Sequence, residues 1–442
     1  MNAATKERIG WYFYDWANSA YPLVISTAIF PLYYSAVTHT DAQGDYVQFL
    51  GMTFYNSALY SYAIALSFLL VCLVTPVLSG VADFSGKKKR FLNIFCSLGS
   101  LACASLAFFR ADSLGLGLGA AMLASMGFSG SLVFYNAFLP EIAGADEQDM
   151  VSARGFAMGY IGSSLLLIFD IAVLTKPSLF GINTNGMSEK AVFVMIAPWT
   201  FVLVGLWWRG WAQLTLSWLH DRPGKSTTGS TLTAGYRELR EVWRSLVHHT
   251  NLKRFLAAFF SHSMGVQTVI LVSTFFGKQV IGMRSDQMLG VLLLLQFVAI
   301  GGSYLFAALS AKLGNIIALC TALALWIGIC VSAFFIATAT EFTVLSMLVG
   351  IVLGGTQSLS RSTYSKMLPQ THDHASFFSF YDVCEKLGVV FGMFAFGWIS
   401  DVTGSMRNAS VALTIFFAVS LGILLSIHLR TTRQPLRQPL AR

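Results

Sequence analysis

Between Trp11 and Tyr34 an otherwise apolar run carries Asp15, Asn18, Ser19 and Ser26. At helical spacing Asp15, Asn18/Ser19, Pro22 and Ser26 fall on one face. A carboxylate in hydrocarbon costs several kcal/mol unless it meets water or a partner, so an acid in such a run is a functional-site candidate by default. Two readings stand. Asp15 lines a water-bearing cavity, as a substrate or proton site, or it sits at headgroup level and caps the helix.

A second constellation lies near the other end of the chain. Asp382 and Lys386 are four residues apart and can pair, with Glu385 beside them. Lys386 lies about nine residues into an apolar segment, roughly 14 Å at the helical rise. If Asp382 takes Lys386, Glu385 is the member left over and a candidate proton carrier. A purely structural salt bridge is the alternative. Polar stripes on other segments add Tyr135 and Asn136, then His262, Ser263, Gln267, Thr268 and Thr274, then Gln357, Ser360, Arg361 and Tyr364. Helix–helix hydrogen bonding explains any one stripe; together they point to a cavity.

The elements that must position these groups are membrane spans. Of 442 residues 55% are hydrophobic and 11% charged, less than half the charged share of about 25% in soluble domains. Apolar runs long enough to cross a bilayer recur near residues 10–36, 55–80, 91–110, 114–140, 153–175 and 191–210, and again near 255–280, 287–311, 315–337, 341–364, 377–402 and 409–430. The reading is an all-α polytopic membrane protein with twelve transmembrane helices. It divides into a six-span block (1–210), a linker (211–254) holding an amphipathic helix, a second six-span block (255–430) and a disordered tail (431–442). Lys6, Glu7 and Arg8 lead directly into the first span, which is expected to be retained rather than cleaved. Basic residues collect on the side that holds both termini, the side the positive-inside rule makes cytoplasmic.

The net charge of +8 follows this topology and implies no nucleic-acid partner. The six cysteines lack metal-ligand or CxxC spacing. His372-Asp373-His374 is a weak metal pattern, so no metal and no cofactor is assigned. Nothing resembles a Walker loop or a hydrolytic triad, which leaves ATP and enzyme chemistry without a site.

The connection after the second run reads Gly80-Val-Ala-Asp83-Phe-Ser-Gly86-Lys87-Lys88-Lys89-Arg90. It resembles the signature loop of the major facilitator superfamily. A degraded copy, Ala308 to Asn315, occupies the same place six spans later, as two pseudo-symmetric six-helix bundles would predict. The resemblance implies a major facilitator fold in which spans one, four, seven and ten line a cavity. It also implies a gating role for Gly80, Asp83, Gly86 and Lys87, with Arg154 nearby. Gly155, Gly159 and Gly162 form a small-residue face for close packing.

Four stretches are similar to one family within this superfamily, the vacuolar effluxer-like proteins. They are Tyr14 to Tyr21; Phe134 to Glu141 with Ser152 to Gly155 and Gly159 to Gly162; Gly265-Val-Gln-Thr268; and Gly354 to Ser362. Family members carry an aspartate where this chain has Met264 and a glutamate where it has Ser376. His262, two residues from Met264, points to another side of a helix.

The resulting expectation is a secondary active transporter, working by alternating access and driven by an ion or substrate gradient, protons being one candidate ion. Its solute would be small and polar or amphipathic, amino-acid-like by family analogy. Asp15, Asn18, Tyr21, Asn136, Gln267, Gln357 and Arg361 are the substrate-binding candidates. Asp15, Glu385, Asp382 and Lys386 are the proton-coupling candidates. Its partners would be the solute, the lipid bilayer and protons; it would act as a monomer in a bacterial inner membrane with both termini cytoplasmic. The alternative is a non-transporting receptor or scaffold on the same fold, motivated by the acids missing at Met264 and Ser376. The aromatic residues Trp11, Tyr12, Phe13, Tyr14, Trp16 and Tyr21 suggest ring stacking with a solute or an interfacial belt.

Overall fold

A computed structural model describes residues 2–39, 44–223 and 231–433. Positions 224–230 of the linker and 434–442 of the tail lie outside the described residues. Among those described, twelve helices are long and apolar enough to span a membrane. Spans 1 to 6 are Ala3–Thr38, Asn56–Ser85, Lys88–Phe108, Ala111–Ile142, Gln148–Thr175 and Glu189–Trp218. Spans 7 to 12 are Thr250–Gln279, Gln287–Leu313, Asn315–Phe335, Ala339–Met367, His374–Thr403 and Met406–Arg430.

Several helices overrun the apolar runs because polar contacts hold the extra turns. Asn2 caps span 1 by accepting from the Thr5 amide at 2.8 Å. Glu7, one turn later, accepts from Arg222 at 3.1 Å and lies 3.0 Å from His220. Span 6 reaches Trp218, eight residues past the apolar run, because Thr215 donates to the Gly10 carbonyl at 2.7 Å.

Span 1 is not uniform. Tyr21–Ile29 adopts the wider π-helical winding, with Pro22 lacking an amide donor. Thr27 Oγ1 donates to the Pro22 carbonyl at 2.8 Å, a side-chain bond across the wider turn. The 3.6-residue arithmetic that aligns Pro22 and Ser26 with Asp15 therefore stops holding beyond Ala20. Only Asp15, Asn18 and Ser19 keep that relation.

Between spans 1 and 2 lies a two-stranded antiparallel hairpin that the apolar pattern does not announce: β1 (Tyr46–Phe49) pairs with β2 (Met52–Tyr55). Leu50 and Gly51 form its two-residue turn, both at positive φ (50° and 78°), the conformation that matches strand twist.

The chain forms two compact units. Unit 1 holds Met1–Ile142, Gly155–Leu239 and His372–Asp382; unit 2 holds Ala143–Arg154, Arg240–Thr371 and Val383–Arg442. This differs from the division into residues 1–210 and 255–430 at two short places. The first turns of span 5 belong to unit 2, and the first turns of span 11 belong to unit 1.

Within unit 1, span 4 packs against spans 2 and 3, and span 6 against spans 1 and 3. Within unit 2, span 10 packs against spans 8 and 9, and span 12 against spans 7 and 9. Adding six to each number in the first set gives the second. The close approaches repeat as well. A Cβ on Gly159 of span 5 would fall 3.2 Å from the Asp15 carbonyl of span 1, and one on Gly392 of span 11 would fall 2.3 Å from the Met264 carbonyl of span 7.

The linker helix, Thr231–His248, begins against span 2. A Cβ on Gly80 would lie 2.3 Å from the Gly235 carbonyl, so the first glycine of the signature loop is where two backbones touch. Gly86 ends span 2 in the left-handed conformation at φ 63°. Val242 and Leu246 of the linker helix are buried while Tyr236 and Trp243 are exposed, so the apolar stripe read from the sequence is shared between the protein and the surroundings.

Candidate functional site

In unit 1 the polar face of span 1 meets span 4. Asp15 is buried and accepts from the Tyr135 hydroxyl at 2.7 Å. Trp11 fixes the same tyrosine twice, donating from its indole to the Tyr135 carbonyl at 3.0 Å and stacking on its ring at 4.5 Å. Asp15 is therefore a buried, oriented acceptor. Asn18 is buried one turn on, and its amide nitrogen has no partner among the described residues. Tyr21 is buried against Phe128 and Trp208, and Asn136 is buried beside Tyr135. The aromatic residues of span 1 mostly pack inward: Phe13 stacks on Trp211 and Trp16 on Trp207. These rings are used in joining spans 1 and 6.

In unit 2 the corresponding span 7 faces span 11. Gln267 donates to Glu385 at 2.6 Å, and Lys386 lies 3.5 Å from the same carboxylate. Glu385 is thus engaged by two groups, contrary to the expectation that it is the member left over. Asp382 belongs to unit 1 and is buried there. His262 bridges Ser420 at 3.0 Å and Ser360 at 3.2 Å, so part of the stripes on spans 7 and 10 serves helix packing. Gln357 is half-buried on span 10.

Arg361 is drawn away from this group. Its Nε donates to Ser152 Oγ at 2.9 Å and its Nη2 to the Ser152 carbonyl at 2.9 Å. Its place is with the first turns of span 5, in unit 2.

Those exchanged turns form two related polar clusters. In unit 1, Asp83 accepts from the amides of Ala375 and Ser376 at 3.2 and 2.7 Å, at the N-terminus of span 11, where the helix dipole favours an anion. Glu141 pairs with Lys88 and lies 3.0 Å from His374 Nδ1. In unit 2, Asp149 at the start of span 5 accepts from Lys366 at 2.7 Å, Ser310 at 2.8 Å and Asn315 at 2.7 Å. The positions correspond six spans apart, with the charges exchanged. In unit 1 the resident span 4 supplies the acid and the incoming span 11 a histidine; in unit 2 the resident span 10 supplies a lysine and the incoming span 5 an acid.

Two gating candidates stand apart from these clusters. Lys87 and Arg154 are exposed, and Lys88 is the buried cation of the signature loop. Ser376 is fully buried with its amide on Asp83. A glutamate there would set a second carboxylate beside the first.

A cavity of about 80 Å³ in unit 2, lined by Val272, Phe276, Leu295, Phe342, Val349 and Phe396, is apolar and holds none of the candidate residues.

A family model described as vacuole effluxer Atg22 like matches residues 3–436. The chain belongs to this family. The Atg22-like chain is 31% identical to the Bacillus subtilis MFS-type transporter YxiO over 427 residues, covering 96% of this chain and 95% of that one. It is 24% identical to autophagy-related protein 22-1 of Penicillium rubens, covering 86% and 77%. Among solved structures it resembles the Escherichia coli fucose:proton symporter FucP (TM-score 0.67, 14% identity, 96% and 98% covered) and the human organic anion transporter MFSD10 (0.64, 12%, 96% and 98%). The fold is that of the major facilitator superfamily. This Atg22-like protein is an integral multi-pass membrane protein and a transporter of that type, not an enzyme.

Two acids that the motifs of this family leave out are prominent in the structure. Asp149 carries the unit 2 cluster; its nearest sequence signal is the degraded loop holding Ser310 and Asn315. Asp170 is buried in span 5 within an apolar run, the same signal that marks Asp15.

Proposed function

We propose that this protein is a secondary active transporter that moves a small polar or amphipathic solute, amino-acid-like by analogy with the vacuole effluxers, by alternating access coupled to protons. The reading places it in a bacterial inner membrane as a monomer, with both termini cytoplasmic. The observation that carries it is one polar group within the spans of each unit: buried Asp15 on Tyr135 between spans 1 and 4 of unit 1, and half-buried Glu385 with Gln267 and the buried Lys386 between spans 7 and 11 of unit 2. Buried charge is retained in spans at a cost of several kcal/mol, and such groups mark solute and proton pathways.

On this reading Asp15, Asn18, Tyr21 and Asn136 are the solute-contacting groups of the first bundle, and Gln267 and Gln357 those of the second. The orphaned Asn18 amide is a ready donor for a solute carboxylate. Glu385 and Lys386 offer the complementary charges that a zwitterion requires. Arg361, held on Ser152, is a gating group of unit 2, and Gly80, Asp83 and Gly86 are gating groups of unit 1. Alternating access would break and remake the two clusters around Glu141 and Asp149. A scaffold would need no buried charge on spans 1 and 11, and the relatives give that alternative no support.

Uptake of a mixed metabolite extract into proteoliposomes, read by mass spectrometry with and without a pH gradient, tests the reading. A compound accumulated by the wild type and not by Asp15→Asn supports it. Equal accumulation by both proteins rejects the role of Asp15, and no accumulation by folded wild type rejects transport of these solutes.

A further inference from the structure

Asp170 stands apart from the other buried acids. It is 1% exposed, and neither of its carboxylate oxygens has a hydrogen-bond partner among the described residues. Among the described residues no charged side chain acts on it. The nearest cation along the chain, Lys176, is six residues on, just past the end of the helix, and exposed. Across the packed face the acid of span 1, Asp15, is already held by Tyr135. Asp170 also lies five residues before the end of span 5, where the helix dipole opposes a negative charge. An ionised carboxylate in that setting has no hydrogen-bond partner among the described residues to offset its burial, and protonation removes the charge.

Its place on the helix is as informative as its isolation. Asp170 follows Gly159 by eleven residues, close to three full turns, so the two share a face. A Cβ on Gly159 would meet Ser19 Oγ at 2.4 Å, and one on Gly162 would meet the Trp16 carbonyl at 2.7 Å. That face is therefore the one span 5 lays on span 1, the span that carries Asp15 and the π-helical stretch. Span 5 also starts in unit 2, where Asp149 and Ser152 are held, and carries Asp170 in unit 1. Any displacement of its first turns passes along one continuous helix to Asp170.

We propose that Asp170 is a proton-carrying carboxyl of the transport cycle, held as the neutral acid in this conformation and opened to water when span 5 shifts on span 1. On opening, the carboxyl O–H bond breaks, its electron pair stays on the carboxylate, and the proton passes to water as hydronium. Closure requires the reverse, with a proton taken from water on the side then exposed. The inference rests on the transport reading above and adds a proton site distinct from Asp15 and Glu385.

Infrared difference spectroscopy of the full-length protein in lipid nanodiscs reads the carboxyl directly and needs no solute. The expected result is a protonated-carboxyl C=O band that is absent in Asp170→Asn, shifted in Asp170→Glu, and lost as pH is raised while the protein remains folded. Absence of such a band in the wild type, or a band unchanged until unfolding, overturns the proposal. Should Asp170→Asn not fold, Asp170→Glu, which keeps a carboxyl, makes the assignment by the shift of its band. In proteoliposomes given the metabolite extract, a gradient of one pH unit sustains about tenfold accumulation through one coupled proton. Asp170→Asn is expected to abolish that accumulation, and accumulation at the wild-type level overturns the proposal. Failure of the wild type to accumulate any solute rejects the transport reading, while the infrared result still decides whether Asp170 exchanges its proton.

Discussion

Glu141 and His374, 233 positions apart in the chain, lie 3.0 Å apart between carboxylate and ring nitrogen in unit 1, and the same carboxylate holds Lys88. The two partners do not contribute equally. Lys88 is almost wholly buried, and losing Glu141 leaves it the Asp83 carboxylate at 4.0 Å in place of a direct ion pair, whereas His374 is the more exposed partner. Glu141→Gln should therefore destabilise the protein by about 3–5 kcal/mol, and His374→Gln by about 1 kcal/mol. Thermal unfolding in detergent measures both; equal losses would show that the histidine bears as much of the cluster as the lysine.

Asp149 and Lys366 form the corresponding pair in unit 2 at 2.7 Å, with Lys366 partly open to solvent. A charge exchange, Asp149→Lys with Lys366→Asp, should recover part of what each single substitution loses. A coupling of about 0.5–3 kcal/mol is expected from a double-mutant cycle on unfolding free energies. Additive losses would mean that Ser310 and Asn315, rather than Lys366, hold the acid in place.

The packing of span 11 on span 7 sets up a contrast between two glycines. A Cβ on Gly392 would fall 2.3 Å from the Met264 carbonyl, whereas one on Gly301 of span 8 meets nothing within 4 Å. Gly392→Ala should cost about 1–3 kcal/mol through overpacking. Gly301→Ala should be neutral or slightly stabilising through helix propensity. Melting temperatures and transport flux of the two variants provide the check.

Asp221, just beyond span 6, accepts from the Lys89 amide at 2.8 Å. Burial pushes its carboxyl above the ordinary range, outweighing the opposing pull of that amide and of the lysines nearby. A carboxyl raised in the folded state binds its proton more tightly there than in the unfolded chain. Its contribution is present below the unfolded value and lost as pH rises through the folded one. Asp221→Asn keeps an acceptor for Lys89 and removes the charge, so it should be more stable than the wild type at neutral pH. The difference should shrink on acidification below the carboxylate range, as followed by unfolding scans across pH.

The twelve spans and their division into two sets of six are legible in the sequence because long apolar runs admit few other solutions. Asp15 is legible for the converse reason, as a charge where none is cheap. The exchange of residues 143–154 and 372–382 between units is not legible, because it depends on which helix ends meet in space. For the same reason the contact of Arg361 with Ser152 is not announced by its own segment. The signature-loop pattern points to Lys87, but helical phase decides that the next residue is the one turned inward. The π-helical stretch of span 1 has Pro22 as its only local cue, and proline more often kinks a helix than widens it.

The two exchanged segments also bear on how the protein is made. Asp83 and the amide of Ala375 that it accepts from are separated by 292 positions. At about 5–20 residues per second, the ribosome needs roughly 15–60 s to reach the partner once the acid has been synthesised. For that interval the first bundle stands in the bilayer with Lys88 beside the signature aspartate but without the two amide donors of span 11, a nascent state suited to recognition by membrane chaperones and proteases until span 11 arrives.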